Sequence, residues 1–432
     1  MKKFLCIIIA FPAFVSIHAQ LLTVENAIDI TLKNNFNIQV ARNNADIDKT
    51  NNTPGNAGML PTIGATGTGS LTQSNLIQKI AGSDSLRKYP DVIGKSVNSG
   101  IALSWTLFDG GKMFITKNKL GEIEALGELQ FKDTLMQAVY NAVTAYYNVV
   151  SQKQQLASIN EVISYNTELV KILQTSFNAG LSPKTGLLQA QIDLNVYKEN
   201  AINQQSVILT SKRALNQILS RDVNISFEVS DSIPLKSLPD IKYLSQKIDS
   251  VNINILEMQK TAEIARLTSK EFTTLRLPKI TFNTGYNILL STNSGGFGLL
   301  YNRNLGPSIG ATISIPIYQG GNINRQITVA KLQYQQALTG SEAIKLAVNM
   351  QLQNALTTYE NQMQLLNIEK DNVALAKENL QIAIQRLRLG QSTILEVRLA
   401  EDSYEQSRTR LTTFEFNLKT AETKLRQLIS DL

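Results

Sequence analysis

Trp105-Thr106-Leu107-Phe108-Asp109-Gly110-Gly111 returns as Ile315-Pro316-Ile317-Tyr318-Gln319-Gly320-Gly321, an offset of 210 residues. The same offset carries Asn178-Ala179-Gly180-Leu181-Ser182 onto Arg388-Leu389-Gly390-Gln391-Ser392, and Leu219-Ser220 onto Ile429-Ser430. Between these landmarks an apolar stripe stays in register: Ala142, Val149, Leu156, Ile163, Val170 and Phe177 map onto Leu352, Tyr359, Leu366, Val373, Leu380 and Leu387. Asn37-Ile38 and Leu60-Pro61 return as Asn254-Ile255 and Leu277-Pro278, 217 residues on. An offset held over such a length means one supersecondary unit built twice, with a period far above that of a solenoid. The expected order in each copy is helix, strand, loop, strand, long helix, turn, helix. Repeat one covers 20–220, a belt linker 221–238, and repeat two 239–432.

The chain opens with Met1-Lys2-Lys3, an apolar run to Ile17, and Ala19 before Gln20. That is the pattern of a signal peptide over 1–19, too short for a membrane helix. Cys6 lies inside the apolar run, not at its end, so no lipid anchor is expected. Cleavage removes Cys6 and His18, the single Cys and single His of the sequence. Without thiol or imidazole, disulfides, Cys nucleophiles, Ser-His-Asp triads and ordinary zinc sites drop out. No glycine-rich phosphate loop is present either. The expectation is no enzyme, no catalytic residue, no cofactor and no metal. The 42 basic and 35 acidic residues form no basic block, so no nucleic-acid partner is expected.

Four segments alternate with period two, in pairs over 61–109 and 278–319. In the second, Ile101, Leu103, Trp105 and Leu107 oppose Gly100, Ala102, Ser104 and Thr106. In the fourth, Ile309, Ala311, Ile313, Ile315 and Ile317 oppose Ser308, Gly310, Thr312, Ser314 and Pro316. The third spans Lys279 to Thr292, and the first, Pro61 to Asn75, is rich in Gly and Thr. Polar stretches 78–95 and 294–306 read as loops between the members of each pair. Each run is long enough to cross a bilayer when tilted. Nothing else in the chain offers a slab to cover the apolar face, so Ile101, Leu103, Trp105, Leu107, Ile313, Ile315 and Ile317 are expected to face lipid.

Residues 112–178 and 322–388 show sustained heptads, as in Leu135, Val139, Ala142, Tyr146 and Val149. A helix of that length reaches about 100 Å and needs coiled-coil partners. Gly180 and Gly390 follow as C-terminal stops. Ser182-Pro183 and Ser392-Thr393 then start return helices over 183–220 and 393–430, the second with a capping box through Glu396. Helices over 23–52 and 239–276 are expected to meet the return helices end to end.

Four strands cannot close a membrane barrel, and open edges are not tolerated in lipid. Two chains would give eight strands with a filled interior; three would give twelve and a pore. Each tip joins helices that lead back toward the strands, so the tips lie farthest from the membrane.

With its Leu107-Phe108-Asp109-Gly110-Gly111 motif, Leu-Pro strand entries, two glycine tips and Leu22-Thr23-Val24-Glu25-Asn26-Ala27-Ile28 opening, the mature chain resembles the TolC-type outer-membrane efflux channels along its whole length. The resemblance implies an α+β membrane protein of a Gram-negative cell. It implies a homotrimer whose four strands per chain form one shared twelve-stranded β-barrel in outer-membrane lipid, prolonged into the periplasm by a long coiled-coil α-helical barrel. It implies an exit duct for small molecules or polypeptides, with a periplasmic adaptor (membrane fusion) protein and an inner-membrane pump of RND or ABC type as partners. The adaptor would dock on the tips, at Gly180, Leu181, Ser182, Gly390, Gln391 and Ser392. In such channels two acidic positions, three residues apart on the inner hairpin, ring the closed periplasmic mouth. Glu396 falls on the first, Leu399 on the second, and Arg398 lies beside them, so these three are the candidate gate. Glu396 has a second reading as a helix cap. The alternative function is a periplasmic coiled-coil structural or adaptor protein, against which the strand pairs stand.

Overall fold

A computed structural model describes residues 20–79, 81–82, 84–235, 247–296 and 300–432. The expected signal peptide and the expected helix start at Pro239 lie outside them. The helices are α1 Val24–Asn34, α2 Phe36–Asn51, α3 Lys112–Asn178, α4 Lys184–Ile218, α5 Ile253–Thr274, α6 Asn322–Arg388 and α7 Ile394–Leu428. The strands are β1 Gln20–Leu21, β2 Thr62–Lys79, β3 Leu86–Phe108, β4 Phe227–Glu228, β5 Lys279–Asn293 and β6 Tyr301–Ser314. Helices α3 and α6 are 67 residues each, with the expected bounds.

Two compact units result. The first takes the N-terminal segment to Ala41, Lys132–Asn252 and Ala347–Leu432; the second takes Arg42–Phe131 and Ile253–Leu346.

In the first unit β1 pairs in parallel with β4, Gln20 opposite Phe227. Tyr146 of α3 donates its hydroxyl to Leu22 O at 3.0 Å and accepts from Ser230 N at 3.3 Å. The described part of the linker is thus pinned to α3 and to the chain start. Around it Leu22, Ala27, Val143, Val150, Leu215 and Phe227 form a buried core.

The expected 23–52 helix is two helices. Thr23 caps α1 by accepting from Asn26 N at 3.2 Å. Asn35 then turns extended, at φ −61° and ψ 123°. Its Oδ1 accepts from Asn37 N and Ile38 N and so starts α2; Asn is among the strongest N-cap residues. Its Nδ2 donates to Ile218 O at 3.0 Å, at the end of α4. Asn252, 217 residues on, donates to Leu428 O at 2.9 Å, at the end of α7. After these helix ends Ser220 and Ser430 both take positive φ, 50° and 57°. The starts of the return helices differ. Thr393 caps α7 through Glu396 N at 3.3 Å. At α4 Pro183 takes the cap position, with no side-chain cap bond, so Ser182 does not cap.

In the second unit β2, β3, β5 and β6 form one antiparallel sheet in that order. The strands run further than expected. Residues 86–89, 92–95 and 301–306 are paired ladder, not loop. Their polar residues hid the alternation. Three of the residues expected to face lipid fall outside the regular ladder. Ile315 and Ile317 lie beyond β6, because Pro316 has no N–H to continue the ladder. Leu107 falls where the β3–β5 register slips, so Phe108 takes the place opposite Ile280. The Asp-Gly-Gly motif makes the exit to α3. Asp109 accepts from Met113 N at 3.1 Å. Gly110 takes φ 76°, where an added Cβ would stand 2.7 Å from the Leu277 side chain.

Candidate functional site

The register fixes what each face of the sheet carries. Opposed residues share a face, so each row can be read across the strands. On one face the rows run Phe108, Ile280, Ile313; then Trp105, Phe282, Ala311; then Ile63, Leu103, Thr284, Ile309. They continue through Ala65, Ile101, Tyr286, Pro307 and Gly67, Ser99, Ile288, Leu305. This face is uncovered within the chain, with Ile63 70 % and Ile309 79 % exposed. The other face alternates with it. Its rows include Gly64, Ala102, Gly285, Ser308 and Thr66, Gly100, Asn287, Gly306 and Thr68, Asn98, Leu289, Asn304. Small and neutral polar groups dominate there. Of the expected lipid-facing residues, Ile101, Leu103, Trp105 and Ile313 share the apolar face. Trp105 also donates Nε1–H to Met59 O at 2.9 Å. From Ile280 to Leu290 is ten rises of about 3.3 Å. At a tilt of about 40° that is about 25 Å along a normal, the height of a barrel's apolar band. The edges β2 and β6 present unpaired backbone. Among the described residues no helix is long and apolar enough to cross a membrane.

The two turns in the first unit are closely alike. Gly180 and Gly390 both take φ 71°. Gly180 N donates to Phe177 O and Leu181 N to Ser176 O. Gly390 N donates to Leu387 O and Gln391 N to Arg386 O. These pairs are Schellman motifs, which satisfy the last carbonyls of a helix. Leu181 stands out at 83 % exposed. Behind the turns α3, α4, α6 and α7 pack through Leu169, Leu173, Leu187, Leu380, Ile384 and Val397.

The gate candidates are not brought together. Ser392 Oγ donates to Glu396 Oε2 at 2.7 Å, and Arg386 stands 3.8 Å from the same oxygen. Arg386 also donates to Gln391 O at 3.0 Å. Glu396 is therefore tied to its own turn. Arg398 Nε reaches Asp193 Oδ2 on α4 at 3.2 Å. Leu399 is 59 % exposed.

A polar cluster that the sequence reading missed lies deeper. Tyr404 donates to Glu161 Oε2 at 2.7 Å and Lys377 to Glu161 Oε1 at 2.8 Å. Burial alone would raise the Glu161 carboxyl, but these hydrogen bonds hold it below the usual range. Glu401, 4 % exposed, accepts from Asn166 Nδ2 across to α3. Burial pushes its carboxyl up to about 7, against the Asn166 bond, with Asp402, Glu405 and Asp193 adding to the rise. Tyr197 donates to Glu405 at 3.1 Å. The signal was present: Glu401 sits between Val397 and Tyr404 at stripe spacing. Among the described residues no group of three or more His, Cys, Asp or Glu is arranged to hold a metal ion.

The model of the outer membrane efflux protein family matches residues 27–221 and 250–430. The outer membrane efflux protein BepC of Brucella suis is 23 % identical over 306 residues, 70 % of this chain and 65 % of that protein. The outer membrane protein TolC of Escherichia coli is 21 % identical over 358 residues, 78 % of this chain and 69 % of that protein. The matches thus span about two thirds of these relatives' length. The outer membrane protein VceC of Vibrio cholerae has the same fold, with a TM-score of 0.78 and 16 % identity over 94 % of this chain and 95 % of that one.

Proposed function

The chain belongs to the outer membrane efflux protein family and is an outer-membrane transport protein of a Gram-negative cell; on that premise we propose that it is the exit duct of a tripartite efflux or type I secretion system. Three copies share one twelve-stranded barrel, and the helices prolong the pore into the periplasm. The two halves of each chain, 20–220 and 239–432, are copies of one unit. The duct does no covalent chemistry; small molecules or polypeptides pass through it. An inner-membrane pump of RND or ABC type feeds it through a periplasmic adaptor.

One observation carries this reading: a sheet with an uncovered apolar face, a small neutral polar face and two open edges. Such a sheet is unstable alone: in water its apolar face stays exposed, and in lipid its edge N–H and C=O groups find no partners. Pairing β2 of one chain with β6 of the next satisfies them and encloses the polar face. Ile101, Leu103, Trp105 and Ile313 then meet lipid. The paired positive φ at Gly180 and Gly390, and the paired Asn35 and Asn252 bonds, support the two-copy reading.

In this reading the tips around Gly180 and Gly390 dock the adaptor, and Glu396, Arg398 and Leu399 line the periplasmic mouth. Three Glu396 carboxylates around an axis draw cations. The Arg398–Asp193 pair ties α7 to α4 and resists opening. Planar-bilayer recording tests both roles. Glu396→Gln lowers cation selectivity, and Arg398→Ala raises resting conductance. Unchanged selectivity in the first leaves Glu396 as the cap of α7 alone. Unchanged conductance in the second removes Arg398 from the latch.

A further inference from the structure

The apolar face of the sheet does not end in neutral residues. Its next rows toward the turns are Gly69, Val97, Leu290, Arg303 and then Leu71, Lys95, Thr292, Tyr301. Beyond a bulge at Asp91, which takes φ 54°, Lys88 lies opposite Ile77. Arg303 and Lys95 thus project from the same face as Ile101 and Ile309, just past the apolar rows. Below them, from Phe108 to Ser99, that face carries no charge in any paired row.

The charge at this end is lopsided. Lys79, Arg87, Lys88, Lys95 and Arg303 face only Asp84 and Asp91. Lys79 lies 3.4 Å from Asp84, and Asp91 accepts from Gln73 at 3.1 Å. Lys88, Lys95 and Arg303 have no ion-pair partner among the described residues. The occupant of this surface must match an apolar wall that becomes cationic within one row. A soluble anion matches the cations but not the wall, and a lipid with an anionic head matches both.

We infer that Lys88, Lys95 and Arg303 form a docking surface for phosphate-bearing lipid headgroups of the outer leaflet. The inference rests on the proposed barrel, which puts the β2–β3 and β5–β6 turns on the outer side. Arg303 offers a fork of N–H donors suited to phosphate oxygens, and lysine offers a point charge. Both side chains have apolar stems long enough to lie along the wall while their heads reach the headgroup layer. Exposed Tyr301, in the Lys95 row, adds an aromatic ring at the same level. Lys95 and Arg303 stand two strand spacings and one row apart, about 12 Å. A disaccharide headgroup with a phosphate at each end spans that gap, and three chains repeat it around the rim.

The test uses the full protein reconstituted in phosphatidylcholine nanodiscs. The discs are doped with diphosphorylated lipid A or with the same glycolipid stripped of phosphate. Native mass spectrometry counts the glycolipid kept on release. Wild type is expected to retain the phosphorylated form at least tenfold better. Combined Lys88→Gln, Lys95→Gln and Arg303→Gln reduces that preference to twofold or less, with the heat-resistant oligomer unchanged on gels. Lys79→Gln, as a control already paired to Asp84, leaves the preference within twofold. Equal retention of both glycolipids by wild type, or an unchanged preference in the triple variant, overturns the inference. So does full displacement by inorganic phosphate at matched phosphorus concentration, which would mark a simple anion site. Failure of wild type to enter the discs would instead remove the barrel reading itself.

Discussion

At the scale of single residues, Glu401 is the most informative group in the chain. It is buried and accepts from Asn166 Nδ2, while Asn166 Oδ1 is buried without a partner. A neutral carboxyl could give its proton to that oxygen; a carboxylate cannot. Burial thus favours the protonated acid, for whose proton that oxygen is an acceptor, while the Asn166 Nδ2 bond works the other way. A folded-state pKa of about 7 lies above that of the unfolded chain, about 4.3. Between those values the folded chain binds more protons, so stability falls as pH rises from about 4.3 to about 7 and then levels. The full swing is on the order of 4 kcal/mol. Glu401→Gln is expected to melt at a higher temperature than wild type at pH 8 and at a similar one near pH 4.5, followed by circular dichroism. Parallel melting curves at both pH values would contradict this. Only the burial of Glu401 was legible in the sequence. The stripe through Val397 and Tyr404 marked the buried side of the helix, but the group that sets the proton's place is 235 residues away. The Thr393 cap was more legible, because it depends only on its own turn; the Glu396 carboxylate itself accepts from the Ser392 hydroxyl.

At the scale of elements, legibility followed how local the determinant was. The bounds of α3 and α6 could be read directly, since an unbroken heptad stripe runs into a glycine in both. The break at Asn35 could not. An Asn inside a polar helix looks ordinary until its amide finds the end of another helix. Strand ends were hidden for a related reason: Lys95 and Arg303 interrupt the apolar alternation while still pairing in the ladder. The glycine turns lend themselves to a test. Nothing lies within 4 Å of a Cβ added at Gly180 or Gly390, yet both hold φ 71°. The cost of Gly→Val there is conformational, roughly 1–2 kcal/mol. Gly180→Val or Gly390→Val is expected to cut in-cell cross-linking to the adaptor severalfold while the heat-resistant oligomer persists. Loss of the oligomer would make the turns structural parts, not docking parts.

At the scale of the whole molecule, the strand count was the decisive clue. Four amphipathic strands on a chain with no other apolar slab already demand company. The number of chains is not written in any one of them, because it depends on how the open edge of β2 meets β6 of a neighbour. Closure by three chains is the central claim, and disulfide scanning across that seam tests it most directly. Cys6 is the only cysteine of the sequence and falls in the expected signal peptide, so the mature protein offers a clean background. Thr68→Cys on β2 is combined in turn with Asn302→Cys, Asn304→Cys, Gly306→Cys and Ser308→Cys on β6, and the membranes are oxidised and run on denaturing gels. The account predicts that at least one register yields linked dimers and trimers, with no species above three chains. Monomers alone at every register, or a ladder that continues past the trimer, would contradict it.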